Sequence, residues 1–260
     1  MTAGAQNGTQ AVLKSRIVRW EVAKTAWRGV SRLARDVTND VRDRSAVVLA
    51  PHADDETLGC GGTIALKTSA GAAVTIVIAT DGRRSSRPVG TTEDDTVAVR
   101  RTEASLAARA LGAGPPVHLP FADGDLHVRL DDLERAVAEH LHAAAPDDVL
   151  SPSPLDPHPD HAALGAAVRR VLHKWNGTAP QLLEYAIWQR ISIHGASRAL
   201  ADWRRLQRVD ITATLPAKRA AFAYYVSQLS DDVAMTGPPL PRSFTQAFFG
   251  GHELFTRVTL

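Results

Sequence analysis

The chain has 260 residues, 44% of them hydrophobic and 22% charged, with a formal net charge of +2. That is ordinary globular usage, and the length suits a single α/β domain. Cys60 is the only cysteine, which excludes a disulfide framework and a cysteine-rich zinc site, so any bound metal must be held by His and carboxylates.

The opening residues, MTAGAQNGTQ, lack a basic start leading into an apolar stretch, and no later run reaches the length of a membrane span. The expected location is the cytoplasm. Residues 1–44 carry nine Lys/Arg against four Asp/Glu, giving +5 and leaving −3 for the rest. Nucleic-acid binding by the body therefore has no electrostatic support. Within this N-terminal arm Leu13, Ile17, Trp20, Ala23, Trp27, Val30, Leu33 and Val37 recur at intervals of three and four, one stripe of an amphipathic helix. The stripe is expected to pack on the body or on another subunit of a homo-oligomer. A basic amphipathic helix resting on an anionic membrane surface has the same pattern.

Past the arm, strand-like and helical segments alternate. AVVLAPH (46–52) and AAVTIVIATDG (72–82) read as buried strands, with a helix over Glu56–Ser69 between them. EDDTVAVRRTEASLAARALG (93–112) predicts a helix ended by Gly112, and Val117–Leu119 a short strand. LDDLERAVAEHLHAAA (130–145) is amphipathic, DDVLSPSP (147–154) a strand, Asp160–Trp175 a helix and QLLEYAIWQ (181–189) a strand. Then the alternation decays: RVDITATL (208–215) is expected at a sheet edge, PAKRAAFAYYVSQL (216–229) as a helix, and the stretch from Thr236 to Phe255 as an irregular cover. The pattern predicts one Rossmann-like three-layer α/β domain with a mostly parallel sheet over residues 45–260, preceded by the helical arm at 1–44.

Two clusters stand out. PHADDE (51–56) and DPHPDH (156–161) each follow a predicted strand, at the carboxyl end where open parallel sheets gather their ligands. Together they supply His52, Asp54, Asp55, Glu56, Asp156, His158, Asp160 and His161. Two imidazoles and a carboxylate form a recurrent catalytic zinc set, and one member of an Asp pair can ligate while its neighbour addresses a water of lowered pKa. A lone His after a strand is usually structural; two acid-His clusters after two strands are not a common accident. The glycines at 59, 61 and 62 do not fit a dinucleotide or phosphate loop, since Ile64 replaces the third Rossmann Gly and no Walker Lys follows. They are expected to let a helix pack closely on the sheet.

The pair PHADDE and HPDH resembles the motifs of the PIG-L/LmbE-like zinc-dependent N-acetylglucosaminyl deacetylase family, over the span from about Ala46 through YYVSQL (224–229). The resemblance implies one Zn2+ held by His52, Asp55 and His161. It implies Asp54 as general base, His158 as the group that stabilises the oxyanion or protonates the leaving amine, and Asp160 as a partner that orients a histidine. VRRTEASLAARALG is similar to the family's R-x-x-E helix and LPFADGDL to its Asp-Gly loop, which implies substrate contacts from Arg100 and Asp123. Ala53 replaces the family's usual Pro, and Asp156 stands where members acting on mycothiol-type substrates carry Tyr. Asp156 is therefore placed with the substrate-binding residues, and the resemblance leans towards the broader bacterial deacetylases of glycans, glycolipids and glycosylated antibiotics. An amidase acting on a thiol conjugate or another small amide, and a non-catalytic sugar-binding homologue, are the alternatives. Arg83, Arg84, Arg87, Trp188 and Trp203 are further residues that a substrate pocket can use.

Overall fold

The run AVVLA carries no polar side chain on either face, so as a strand it needs cover on both sides, which the middle of a parallel sheet provides. The computed structural model describes residues 20–229, 235–236 and 240–260. In chain order it contains α1 (residues 20–31), β1 (Arg35–Asp36), α2 (Thr38–Val41), β2 (Ala46–Ala50), α3 (Asp55–Ser69), β3 (Val74–Thr80), α4 (Glu93–Ala110) and β4 (Val117–Phe121). There follow α5 (Leu130–Ala144), β5 (Asp148–Pro152), α6 (Pro159–His173), β6 (Gln181–Tyr185), α7 (Ile193–Ala201), β7 (Leu206–Asp210), α8 (Leu215–Phe222), α9 (Val226–Leu229), α10 (Arg242–Thr245) and β8 (His252–Val258).

The strands form one sheet in the order β1-β7-β8-β6-β5-β2-β3-β4. Every pairing is parallel except those of β8, which runs antiparallel to both β6 and β7. Side chains alternate across it. Val48, Ala50, Ile76, Ile78, Leu150 and Leu183 face a core under α3, α4 and α8, while Val47, Leu49, Val77, Val149 and Leu182 face one under α5 and α6. The three-layer α/β class expected from the alternation is the architecture observed.

Two expectations at the C-terminal side are corrected. The segment at 206–210 is not an edge strand, because β8 pairs on one side of it and β1 on the other. The expected irregular cover contains β8, hidden in the sequence because its buried positions are Glu253 and Phe255, so an acid sits where alternation calls for an apolar residue. That acid is neutralised inside the protein. Lys218 Nζ lies 2.7 Å from Glu253 Oε1 and also donates to Leu58 O (2.8 Å), while Gly62 N and Thr63 N donate to the two carboxylate oxygens (2.8 Å each). Leu58 O and Gly62 N are the ends of one i→i−4 step of α3, so the ion pair is seated in that helix's own ladder.

The glycines explain how it fits. A Cβ at Gly59 would lie 2.5 Å from the Tyr185 ring, one at Gly61 3.1 Å from Lys218, and one at Gly62 2.6 Å from Ile211. α3 therefore rests directly on β6, α8 and the residue after β7. A second buried cation, Lys67, donates to Val41 O (2.6 Å), Arg44 O (2.9 Å) and Asp148 Oδ2 (2.8 Å), tying the entry to β2 to the start of β5.

At the N-terminal side α1 lies on the body. Ala23, Trp27, Val30 and Ala34 are buried with Ala196 and Leu206, and Trp27 Nε1 donates to Gln189 O (3.1 Å). Among the described residues the apolar stripe is thus covered by this same chain rather than free for a membrane or a second subunit; Leu13 and Ile17 lie outside the described residues. Leu33 is 48% exposed, because the helix ends before it and the stripe loses its register. No helix among the described residues is long and apolar enough to cross a membrane.

Candidate functional site

The chain reverses its direction of strand addition at β2: β3 and β4 extend the sheet one way, β5 and β6 the other. β2 and β5 are parallel neighbours, so their carboxyl ends open into the same crevice, where doubly wound sheets bind ligands. The turn after β2 delivers His52 and Asp54, the first turn of α3 delivers Asp55, and the start of α6 delivers His158, Asp160 and His161. Pro159 suits the first turn of α6, and the ring of His158 caps it, Nδ1 accepting from Asp160 N at 3.3 Å.

The three imidazoles come together: one ring nitrogen from each of His52, His158 and His161 lies within 4.8 Å of the others, an arrangement that can hold a metal ion. Asp55 belongs to the same group, its Oδ2 being 3.1 Å from His52 Nδ1 and 3.2 Å from His161 Nε2. These separations are close to the edge of about 3.3 Å expected when bonds of about 2.0–2.1 Å radiate tetrahedrally from one ion.

Hydrogen bonds around the rings assign their nitrogens. Asp160 Oδ2 lies 3.1 Å from His52 Nε2 and Asp55 Oδ2 3.1 Å from Nδ1; a carboxylate only accepts, so both nitrogens carry protons in the metal-free protein, and a metal would take the place of the one on Nδ1. His161 is fully buried with neither ring nitrogen in a hydrogen bond; a cation would satisfy Nε2. His158 differs from both. Its Nδ1 accepts from a backbone N–H, so the neutral ring carries its proton on Nε2 and presents a donor rather than a lone pair.

Burial and charge shift the titration of these groups strongly. Burial pulls the His52 pKa down, but hydrogen bonds to Asp160 and Asp55 outweigh it and raise the ring to about 10. Burial likewise raises Asp55, against the charges of His161 and His52, which win and hold it well below the usual carboxylate range. Asp54 goes the other way: burial, opposed by Arg100 and reinforced by Asp55 and Glu56, pushes it up to about 7. His158 is lowered to about 4 by burial and by the neighbouring His52 and His161. The pocket thus holds a carboxyl group poised near neutrality beside a ring that stays uncharged.

Asp54 is also held in an unusual backbone conformation, φ 128°, which L residues seldom adopt. Its own N–H donates to Glu56 Oε2 (3.0 Å), and Arg100 Nη2 donates to Ala53 O and lies 3.4 Å from Asp54 Oδ2. Tyr225 supports both clamps, donating from its hydroxyl to Glu56 Oε1 and placing its ring 5.7 Å from the Arg100 guanidinium. Sequence reasoning missed Tyr225 and gave Glu56 only the start of a helix, since nothing local links residues 56 and 225.

A cavity of about 370 Å³ lies over these groups, with Leu58, Ile187, Trp188, Leu240 and Phe244 on its apolar side. Arg100 reaches it with Nε and Nη1 outside any hydrogen bond, Nη1 lying 3.9 Å from Glu103 Oε2, though its side chain is 2% exposed. Asp123 also lines it, but its carboxylate already accepts from Gly82 N (3.0 Å) and Arg84 N (3.1 Å) and so shapes the loop after β3. Asp156, expected on the substrate side, is not on the cavity wall. It is buried, accepts from His158 N (3.2 Å), Ile187 N (3.1 Å) and Trp188 N (2.9 Å), and has Oδ1 3.7 Å from His161 Nδ1, so its place is beneath the site. Arg84 and Trp188 line the cavity, whereas Arg83 pairs with Asp81 (2.6 Å) and Trp203 is elsewhere.

Residues 47–172 match the PIG-L family, described as GlcNAc-PI de-N-acetylase. The chain is similar to the deacetylase YaiS of Escherichia coli K12, with 28% identity over 147 residues, 55% of this chain and 73% of that protein. The matched stretch spans between 48% and 73% of the curated relatives' own lengths. Among solved structures, the N,N'-diacetylchitobiose deacetylase of Pyrococcus horikoshii in complex with its inhibitor superimposes with a TM-score of 0.60 and 25% identity, covering 80% of each chain. The 4-carboxy-2-hydroxymuconate hydratase GalB of Pseudomonas putida KT2440 superimposes with a TM-score of 0.56 and 26% identity, covering 70% of this chain and 83% of its own.

Proposed function

Because the chain belongs to the PIG-L/LmbE-like deacetylase family, whose members here point to amide hydrolysis, we propose that it removes an N-acetyl or N-acyl group from an N-acylglucosamine-type substrate with a zinc ion held by His52, Asp55 and His161. The observation that carries the reading is the position of Asp55 Oδ2 between His52 Nδ1 and His161 Nε2, with Asp54 and His158 flanking it in the same cavity. The proposed place of His158 outside the ligand set is supported by its Nδ1 accepting a backbone hydrogen bond.

When bound, the zinc ion supplies Lewis-acid polarisation of the acyl carbonyl and of a water molecule. Asp54 takes a proton from the attacking water, a role suited to a carboxyl group whose pKa is near 7. His158 donates from Nε2 to the oxygen on which negative charge develops, and the proton held by Asp54 is passed to the leaving amine. Arg100, whose Nε and Nη1 make no hydrogen bond within the protein, binds an oxygen of the substrate and keeps the Asp54 turn in place. Asp160 orients the His52 ring through Nε2, and Asp156 stands behind His161 with Oδ1 3.7 Å from Nδ1.

The test is free-amine release from a panel of N-acetylated sugars, with zinc content measured alongside. Asp54→Asn is expected to keep its zinc and lose roughly 10²–10⁴-fold in turnover. Normal turnover in that variant refutes the mechanism. Since one structural relative is a hydratase, the fold alone does not select the bond that is broken, and amine release does.

A further inference from the structure

Where α1 meets the body there is a cavity of about 310 Å³ that has no lining residue in common with the catalytic one. From α1 it takes Lys24, Arg28 and Ser31, spaced four and three apart and so on one face of the helix. Each follows a member of the buried stripe, Ala23, Trp27 or Val30, so docking of that stripe sets them along the seam. Arg190, after β6, and His252, at the start of β8, close the cavity from the body side.

Arg190 is the unusual member. Its guanidinium lies 4.9 Å from the Trp27 ring and Nη2 donates to Ala247 O at 3.3 Å, while Nη1 is buried with no hydrogen bond. A guanidinium shut away from water calls for an anion beside it. Among the described residues none is supplied: no Asp or Glu lines the cavity. The carboxylate whose charge reaches Arg190 is Glu253, which is already taken by Lys218 Nζ, Gly62 N and Thr63 N. Burial accordingly pulls the Arg190 pKa down to about 10. Lys24 brings its own counter-charge, with Nζ 2.6 Å from Glu21 Oε1, whereas Arg28 has no ion pair among the described residues. Residues 1–19, which lead into α1, contain no Asp or Glu.

We propose that this cavity binds a phosphate dianion, held between the guanidinium groups of Arg190 and Arg28 and fastening α1 to the body. Two guanidiniums without a carboxylate match the charge of a dianion, and their planar forks suit phosphate oxygens. A carboxylate ligand, with one charge, answers only one of them. The site is independent of the reaction proposed above, since the two cavities are built from different residues.

Titration calorimetry of the full chain with inorganic phosphate, in chloride of matched ionic strength, reads the site. Saturable binding is expected. Arg28→Ala and Arg190→Met are each expected to weaken it about 10–100-fold, the equivalent of one charged hydrogen-bonding partner, while Arg100→Ala, in the catalytic cavity, leaves it in place. Arg28 is exposed, so its variant keeps the fold whatever Arg190→Met does to the docking of α1. Acetate is expected to bind at least about tenfold more weakly than phosphate. Glycerol 3-phosphate separates the sources: binding tighter than that of inorganic phosphate assigns the site to a monoester, and weaker binding assigns it to the free ion. Absence of saturable phosphate binding, unchanged affinity in Arg28→Ala, or equal affinity for acetate overturns the proposal. Binding that is lost in Arg100→Ala and kept in Arg28→Ala also overturns it, by placing the anion in the catalytic cavity.

Discussion

Gly165 offers a direct test of how the fold sets the site. It lies in α6 one turn beyond His161, on the same face, where the helix touches the end of β5. A Cβ added there would lie 2.4 Å from Pro152 O and 2.7 Å from Pro154 N, both backbone atoms, against an ordinary contact of 3.4 Å or more. Gly165→Ala therefore forces α6 away from β5 by about 1 Å. Overpacking of this kind costs about 1–3 kcal/mol, offset by at most about 1 kcal/mol from the better helix propensity of Ala. The net is a loss of roughly 0–2 kcal/mol, a modest shift of the urea midpoint. Metal ligation is far less tolerant, since its distances hold to about ±0.2 Å, so carrying His161 off by several times that margin is expected to weaken zinc binding roughly 10–100-fold. Competition with a chromophoric chelator measures the affinity. Gly29→Ala is the control: nothing lies within 4 Å of that position in α1, so it should add about 0.5–1 kcal/mol and leave zinc binding alone. Wild-type stability and zinc affinity in Gly165→Ala refute the reasoning.

Lys218→Met leaves the Glu253 carboxylate buried without its cation, and a loss of about 3–5 kcal/mol is expected in urea unfolding; a loss below about 1 kcal/mol contradicts the assigned role of the pair. pH dependence separates metal-free from metal-loaded protein. His52, ordinarily near 6.5 and raised to about 10 in the fold, contributes stability that is complete below pH 6.5 and is lost as pH climbs through 10. Asp54, raised from 3.8 to about 7, loses its contribution in the same direction between those values. The urea midpoint in excess chelator should therefore fall from pH 6 to pH 9.5 while the zinc-loaded protein falls less, and a chelated protein with a flat profile counts against the assigned proton on His52.

What the sequence disclosed was the chemistry that follows strands. Val47–Leu49 and Val149–Leu150 are apolar runs ending in acid-His clusters, and parallel pairing of β2 with β5 is enough to bring His52 towards His158 and His161. What it hid depends on partners distant in the chain. Glu253 spoils the alternation of β8 and reads as loop until Lys218, on a different helix, supplies the opposite charge. Asp156 looks like a residue free to meet substrate, yet the N–H groups of Ile187 and Trp188 turn towards it from beyond β6. Tyr225 is an unremarkable aromatic in its own helix-rich context, and only the tertiary structure shows it holding Glu56 and facing Arg100. The glycines of α3 were legible as close-packing positions, but not which residues fill the space.

The position of β8 in the sheet also bears on how the chain can assemble. β1 and β7 join the other strands only through it, although both precede it in the chain, so a nascent polypeptide can pair β2 through β6 while that outer part of the sheet still waits. Glu253 arrives on the same strand and engages the backbone of α3 within two turns of Asp54 and Asp55. Closure of the sheet and anchoring of α3 therefore depend on the same strand. Until β8 is in place, the helix that presents the acids lacks the anchor of its middle turn.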